Sequence, residues 1–206
     1  MKPFRVLSAS ILLFSLSIVT PAAGWSWVNT VRAVAPSVVA LYYPESERVR
    51  CTAISISEKK ANYLTAAHCV DNGSVITIDE MAVSVLWIDR GLDLVVLQAP
   101  ATRHKAIRRR KGAVVAGENV ASYGYGYGYL QFRAGHVSIP RLQIVVTSHV
   151  PQSYIVVDTP VIPGMSGGPL FDQDGRLVGV VQITDTAVSG AAPMDVVIQV
   201  TEQYWD

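Results

Sequence analysis

Charge is scarce and balanced along this chain: 17 basic against 16 acidic residues in 206 leave a formal net charge of +1. Such a balance offers no global field for a nucleic acid or an acidic partner, so no nucleic acid is expected and function must be sought in local groupings. Long apolar runs are missing beyond the extreme N-terminus, which excludes a polytopic membrane protein. Cysteine occurs only twice, at Cys51 and Cys69. A zinc site built on these two and His68 lacks a fourth ligand and has two ligands adjacent in the chain, so no metal and no cofactor is expected. What remains is a chain half of whose residues are hydrophobic, enough for one substantial core or two small ones.

The N-terminus has its own grammar. Lys2 and Arg5 precede an apolar run from Val6 to Val19, followed by Thr20-Pro21-Ala22-Ala23-Gly24. The run is shorter than the ~20 residues of a spanning helix, so residues 1–24 read as a signal peptide cut near Ala23 or Gly24, leaving a domain over 25–206. The rival is an uncleaved membrane anchor with Trp25 and Trp27 at the interface. Export places Cys51 and Cys69 in an oxidising compartment, where they are expected to close a disulfide.

Short β-rich runs alternate with turn residues through the rest of the chain. In the first half they are Val38–Tyr43, Thr52–Ser57, Tyr63–Thr65, Val75–Ile78, Val83–Ile88 and Leu94–Gln98. The second half continues with Val120–Tyr123, Val137–Ile139, Leu142–Thr147, Tyr154–Val157, Leu177–Ile183 and Val196–Val200. None has helical length, and the pattern predicts an all-β sandwich or barrel, with Asp174-Gly175 as a tight hairpin turn. Between the halves, hydrophobic alternation lapses over residues 103–112 and cations accumulate. This reads as an interdomain connection on the solvated surface, with contact to anionic lipid or an acidic substrate as the sharper alternative. The Tyr-Gly alternation from Tyr123 to Tyr129 reads as a strand entering a flexible loop, its tyrosines packing at core and rim.

The strongest chemical signal is Pro163-Gly164-Met165-Ser166-Gly167-Gly168-Pro169-Leu170, a serine among glycines. Acyl transfer needs amide N–H groups aimed at a developing oxyanion, and a tight turn from Gly164 to Ser166 presents two of them. The segment also fits the Gly-x-Ser-x-Gly elbow of α/β-hydrolases, but those place the histidine after the serine. Here His68, His104, His136 and His149 all come before Ser166. The subtilisin order needs an aspartate ahead of the histidine, and the first aspartate is Asp71. The remaining order is His, Asp, Ser. His68 follows Thr65-Ala66-Ala67 beside Cys69, whose bridge to Cys51 would fix a general base. Asp93 sits in Gly91-Leu92-Asp93-Leu94-Val95, where a carboxylate needs a buried partner such as an imidazole. Asp89, beside Arg90 in a turn, is the alternative.

The His68-Cys69 motif, the Asp93-Leu94 strand and the Gly164–Pro169 loop together resemble trypsin-like serine proteases, in particular the protease domain of bacterial high-temperature-requirement-type enzymes without a PDZ domain. The resemblance runs from about Ser37 to Val200. It implies two Greek-key six-stranded β-barrels with the active site in the cleft between them: the first at about 35–102, a connection at about 103–118 and the second at about 119–200. It also implies a triad of His68, Asp93 and Ser166 and an oxyanion hole from the backbone N–H groups of Gly164 and Ser166. The expected reaction is endopeptidase hydrolysis of an exported protein's polypeptide substrates, in the periplasm or outside the cell.

Departures from the pattern narrow this. Met165 stands where pancreatic-type zymogens place the aspartate that receives a new N-terminus, and a chain starting near Trp25 lacks the usual Ile or Val, so that activation switch is not expected. No PDZ-like extension follows Asp206, so a chaperone-protease role is not carried over. Pro160 stands six positions before Ser166, where the resemblance implies the base of the primary specificity pocket, so no acid is expected there for Lys or Arg. A small or medium apolar preference is expected, with walls from Pro160, Val161, Ile162, Val181, Gln182 and Ile183 and Asp158 within reach. A catalytically silent binding module and an esterase on the same scaffold are the rival functions.

Overall fold

The computed structural model describes residues 26–46, 48–70, 75–145, 151–184 and 189–206. The expected signal peptide, its cleavage site and Trp25 lie outside these residues, as do His149 and the last two positions of the Leu142–Thr147 run. Among the described residues no helix is long and apolar enough to cross a membrane.

Seven strands make a first sheet: β1 (Val38–Tyr43), β2 (Arg48–Ser57), β3 (Asn62–Thr65), β4 (Thr77–Ile78), β5 (Met81–Ala82), β6 (Ser84–Asp89) and β7 (Leu94–Gln98). Their order is β5-β4-β1-β2-β3-β7-β6, a curled half-barrel. The second sheet comprises β8 (Arg108–Arg109), β9 (Asn119–Gly126), β10 (Tyr129–Ile144), β11 (Gln152–Val157), β12 (Pro169–Asp172), β13 (Arg176–Thr184) and β14 (Ser189–Pro193). It runs β12-β9-β10-β11-β14-β13-β8, and pairing of β12 with β13 closes six of these strands into a barrel, with β8 appended in parallel. The nearly all-β, two-barrel architecture is the one expected.

Strand periodicity explains how two barrels share one interface. Successive side chains point to opposite faces, so neighbouring residues enter different cores. On the first sheet, Ala53, Tyr63, Val95 and Leu97 fill the half-barrel, while Ile54, Leu64, Leu94 and Val96 face the seam between the sheets. The second sheet answers in kind: Val120, Leu170, Val178 and Val181 pack inside the barrel, and Ala121, Phe171, Leu177 and Val180 meet the seam. Burying each large side chain at this seam contributes about 1.5–3 kcal/mol, which fixes the cleft geometry.

Two helices depart from the sequence reading. Val196–Val200, read as a strand, belongs to α2 (Met194–Thr201). Its buried residues Met194, Val197 and Thr201 follow a helical period that its β-branched composition hides. An unexpected α1 (Trp27–Val34) starts at Ser26, whose side chain accepts from the Val28 N–H at 3.3 Å. It docks through Trp27 on Phe132 and Phe171, and through the Thr30 hydroxyl on the Gln173 carbonyl oxygen at 2.8 Å. The Asp174-Gly175 turn joins β12 to β13 as expected, with Phe171 opposite Leu177.

The Tyr-Gly stretch is the β9–β10 hairpin. Tyr127 and Gly128 form its tip, both with positive φ (51° and 85°), the conformation a tight two-residue hairpin turn requires. The basic connection is not merely solvated. Ile107 is buried in the seam, Arg109 pairs with Glu202 at 2.7 Å and stacks on Trp205, and Arg110 pairs with Glu118.

Candidate active site

β3 ends at Thr65, and a single turn over Ala67–Cys69 presents His68 at the mouth of the cleft. Its partner comes from the turn between β6 and β7, where Asp93 adopts φ 52°. Aspartate tolerates this left-handed conformation better than most residues, at a cost of about 1–2 kcal/mol. The Asp93 carboxylate accepts twice, from the backbone N–H of His68 at 2.8 Å and at Nδ1 of its ring at 2.8 Å. An ionised carboxylate only accepts, so in the neutral ring the proton sits on Nδ1 and Nε2 keeps its lone pair. The Asp93 carbonyl oxygen also accepts from Ala67 N–H at 3.2 Å. His68 keeps 45 % of its side chain exposed against 22 % for Asp93, an accessible imidazole on a sheltered carboxylate. Asp89 is occupied elsewhere, accepting from Leu92 N–H at 2.9 Å within the same turn.

Two glutamines from the second barrel back this turn. Gln182 Nε2 donates to the carbonyl oxygens of Leu92 and Asp93 at 2.8 and 2.7 Å, and Gln152 Nε2 donates to that of Gly91. The Tyr154 hydroxyl donates to Gln152 Oε1 at 2.5 Å. Burial, and secondarily the Asp93 charge, pushes the Tyr154 phenol up to about 12.

The Ser166 loop lies on the same floor. Cys51 and Cys69 form the expected disulfide, tying β2 to the residue after His68. Ser166, only 6 % exposed, directs its carbonyl oxygen at Thr52 N–H (3.0 Å) and lies 3.9 Å from Cys69 Sγ through the same oxygen. The His68 ring nitrogen and both cysteine sulfurs lie within 4.8 Å of one another, but the sulfurs are bonded together and only the imidazole remains as a ligand. Behind Ser166 the loop is zipped to β13 by Gly167 N–H to Val181 O (2.7 Å) and Val181 N–H to Gly168 O (2.9 Å). Among the described residues, none accepts from the N–H groups of Gly164 or Ser166. Met165 buries its side chain in the second-barrel core, filling the position with packing instead of charge.

The residues read as pocket walls divide. Val161 and Val181 belong to the second-barrel core, and the Gln182 amide donates to the Asp93 turn. Pro160 is exposed, Ile162 packs against Gly126, and the Ile183 side chain lies outside the described set. Asp158 instead accepts from His136 N–H at 2.6 Å and faces its Nδ1 at 3.2 Å; chiefly that backbone bond holds its carboxyl below the usual range. Sequence reasoning missed Thr52 and Gln152, and it did not foresee the contact of Gln182 with the Asp93 turn. A polar residue at a fully buried strand position, as Thr52 is, is the one signal that marks it.

Residues 51–180 match the family model described as trypsin-like peptidase domain. Among curated relatives, a probable periplasmic serine endoprotease, DegP-like, from Hahella chejuensis is 30 % identical over 73 % of this chain and 34 % of its own length. A second, from Ectopseudomonas mendocina, is 30 % identical over 68 % of this chain and 32 % of its own. The chain thus spans about a third of the length of these relatives. The active form of the Rv3671c protease from M. tuberculosis superposes with a TM-score of 0.72 at 25 % identity, covering 94 % of this chain and 93 % of that one. An HtrA-type protease solved with a decapeptide shares the fold at TM-score 0.76 and 18 % identity, over 86 % of this chain and 66 % of its own.

Proposed function

The chain belongs to the trypsin-like peptidase family, and on that premise we propose that it is a serine endopeptidase acting through Ser166, His68 and Asp93. The Ser166 hydroxyl attacks the scissile carbonyl as His68 Nε2 takes its proton. Collapse of the tetrahedral intermediate expels the amine, which recovers that proton from the imidazolium, and water then releases the acyl-enzyme by the same route. Asp93 holds the ring in the tautomer with Nε2 free and stabilises the cation as it forms. The N–H groups of Gly164 and Ser166 receive the oxyanion.

The observation that supports this reading most is the double acceptance by Asp93, which ties both the backbone and the ring of His68 at 2.8 Å. A carboxylate at the end of an apolar strand, in a strained conformation, with its charge aimed at one imidazole is the arrangement a general base requires. Substrates are proteins or peptides, and no cofactor enters the reaction. The protein works after export, in keeping with the periplasmic names of its relatives.

Labelling with a fluorophosphonate, followed by mass spectrometry, tests the reading. The wild-type protein is expected to carry the adduct on Ser166 and to cleave a mixed peptide set, while Ser166→Ala and His68→Ala lose both with unchanged melting. A folded, oxidised wild-type protein that takes no label is a binding module. One that turns over esters but no peptides is an esterase.

A further inference from the structure

A groove of about 650 Å³ opens beside Gly164, between the β1–β2 hairpin of one barrel and the β9–β10 hairpin of the other. Its walls carry Tyr42, Arg48 and Arg50 on one side and Tyr127 and Tyr129 on the other. The two hairpin-tip tyrosines are 68 % and 76 % exposed, far more than aromatic rings normally are unless something else covers them. The tip is fixed to the Ser166 loop, since Tyr127 N–H donates to the Pro163 carbonyl oxygen at 2.9 Å. Gly164 itself allows the approach: a Cβ there would stand 2.2 Å from the Tyr125 carbonyl oxygen.

The arginines set the chemistry. Arg109, Arg110, Arg141 and Arg176 are each paired with a carboxylate of the chain. Arg48 and Arg50 have none among the described residues, although Arg50 is held with its guanidinium 5.5 Å over the Tyr43 ring. Two guanidinium groups facing one groove, with no carboxylate partner among the described residues and flanked by aromatic faces, form a receptor for a carboxylate on a polypeptide. The flank follows from the loop. Pro160, the position read as the base of the pocket for the residue preceding the cleaved bond, does not line this groove, whereas Gly164, two residues before Ser166, does.

We propose that this groove binds acidic side chains of the substrate on the leaving-group side of the cleaved bond, making the enzyme selective for Asp or Glu within about three residues after it. The proposal rests on the serine endopeptidase reading above. It assigns the cationic wall to the first barrel and the aromatic wall to the second, so both barrels contribute to leaving-group selection.

The test is a peptide-library cleavage profile of the wild-type protein and of Arg48→Glu/Arg50→Glu, with fluorophosphonate labelling of both run in parallel. Wild type is expected to enrich Asp and Glu after the cleaved bond, and the enrichment to shrink as salt rises. Charge reversal should lower kcat/KM for acidic peptides at least about fivefold, leave neutral peptides unchanged and favour Lys or Arg. Equal labelling of the two proteins with no acidic preference, or with a preference that survives the reversal, overturns the groove while leaving the catalytic reading intact. Absence of labelling in both sinks the catalytic reading instead. Binding of a fluorescent acidic peptide then decides the groove: salt-sensitive binding lost on reversal upholds a carboxylate receptor, and no binding removes it.

Discussion

The hydroxyl of Thr52, on β2 of the first barrel, donates to the carbonyl oxygen of Gly164 at 2.9 Å across 112 residues of sequence. The same hydroxyl accepts from Tyr125 N–H at 2.8 Å, and the backbone of Thr52 takes up Ser166 O (3.0 Å) and the Thr65 hydroxyl (2.7 Å). One fully buried threonine therefore sets the height of the Ser166 loop over the first barrel and the approach of the β9–β10 hairpin to that loop.

Thr52→Val keeps the shape and deletes the hydroxyl. The Gly164 carbonyl and the Tyr125 N–H then lose their partner in a buried site, a cost of about 1–3 kcal/mol. We expect the melting temperature to fall by roughly 2–4 °C per kcal/mol lost. Peptidase activity should fall further than the population of folded protein does, because the Gly164 peptide is then free to rotate. A variant with wild-type kcat/KM at a temperature where it is fully folded would show that Gly164 is held by other contacts.

Gly167 and Gly117 share φ 80° and differ only in their surroundings. A Cβ on Gly117 meets nothing within 4 Å, whereas on Gly167 it would stand 1.9 Å from Thr65 Oγ1 and 2.3 Å from the Thr52 carbonyl oxygen. Gly117→Ala should therefore cost only the left-handed strain, about 1–2 kcal/mol. Gly167→Ala adds a collision with backbone that cannot move without opening the Thr52 contacts, and it is expected to lose more than about 4 kcal/mol or fail to accumulate as folded protein. Urea midpoints of the two variants measure the difference, and equal losses would mean the loop repacks freely.

How much of this was readable beforehand depended on the range of the interaction that decided it. Most of the β-rich runs and the Asp174-Gly175 turn are local signals and appear in place. His68, Asp93 and Ser166 are proposed as a triad because chain order and flanking residues restrict the choices, and the structure puts the first two at hydrogen-bond distance. Val196–Val200 misled because five residues of mostly β-branched composition do not reveal a helical period that Met194 and Thr201 complete on either side. The surroundings of Val161, Val181 and Gln182 lie beyond the sequence for the opposite reason: which face each side chain takes is decided by barrel closure. Thr52 and the glutamines gain meaning only from partners more than 60 residues away, as with Gln152 and Gly91, which are 61 apart.

Tyr154 makes the alkaline limit of stability measurable. Its phenol titrates at about 12 in the folded protein, raised mainly by burial, against an ordinary value of 10. A raised folded pKa means that the contribution is complete below pH 10 and is lost as pH climbs through 12. The loss is on the order of 2 kcal/mol over that window. Unfolding midpoints in urea from pH 9 to 12 should fall more steeply for wild type than for Tyr154→Phe, and parallel slopes would place the alkaline loss on other groups.

Asp93 pays for its left-handed backbone through what surrounds it, and Gln182 is the contact that reaches it from the other barrel. Replacing Gln182 by Leu removes both donations, to Leu92 O and Asp93 O, and leaves two part-buried carbonyl oxygens poorer by a donor. The turn remains tethered by Ala67 N–H and by Asp89, so the fold should survive with a loss of about 1–3 kcal/mol. The orientation of the carboxylate toward His68 is what should suffer. We expect kcat to fall roughly tenfold with little change in KM, since the lost interaction acts on the transition state and not on substrate binding. Asp93→Asn is the comparison that separates geometry from charge: asparagine also tolerates positive φ, so the turn persists, but an amide cannot accept from both His68 N–H and Nδ1–H as an ionised carboxylate does. Its rate should drop by about 10⁴, far beyond the Gln182→Leu effect. If the two variants lost activity equally, the Asp93 charge would matter no more than its position, and Gln182→Leu at the wild-type rate would reduce the cross-barrel contact to a stabilising one.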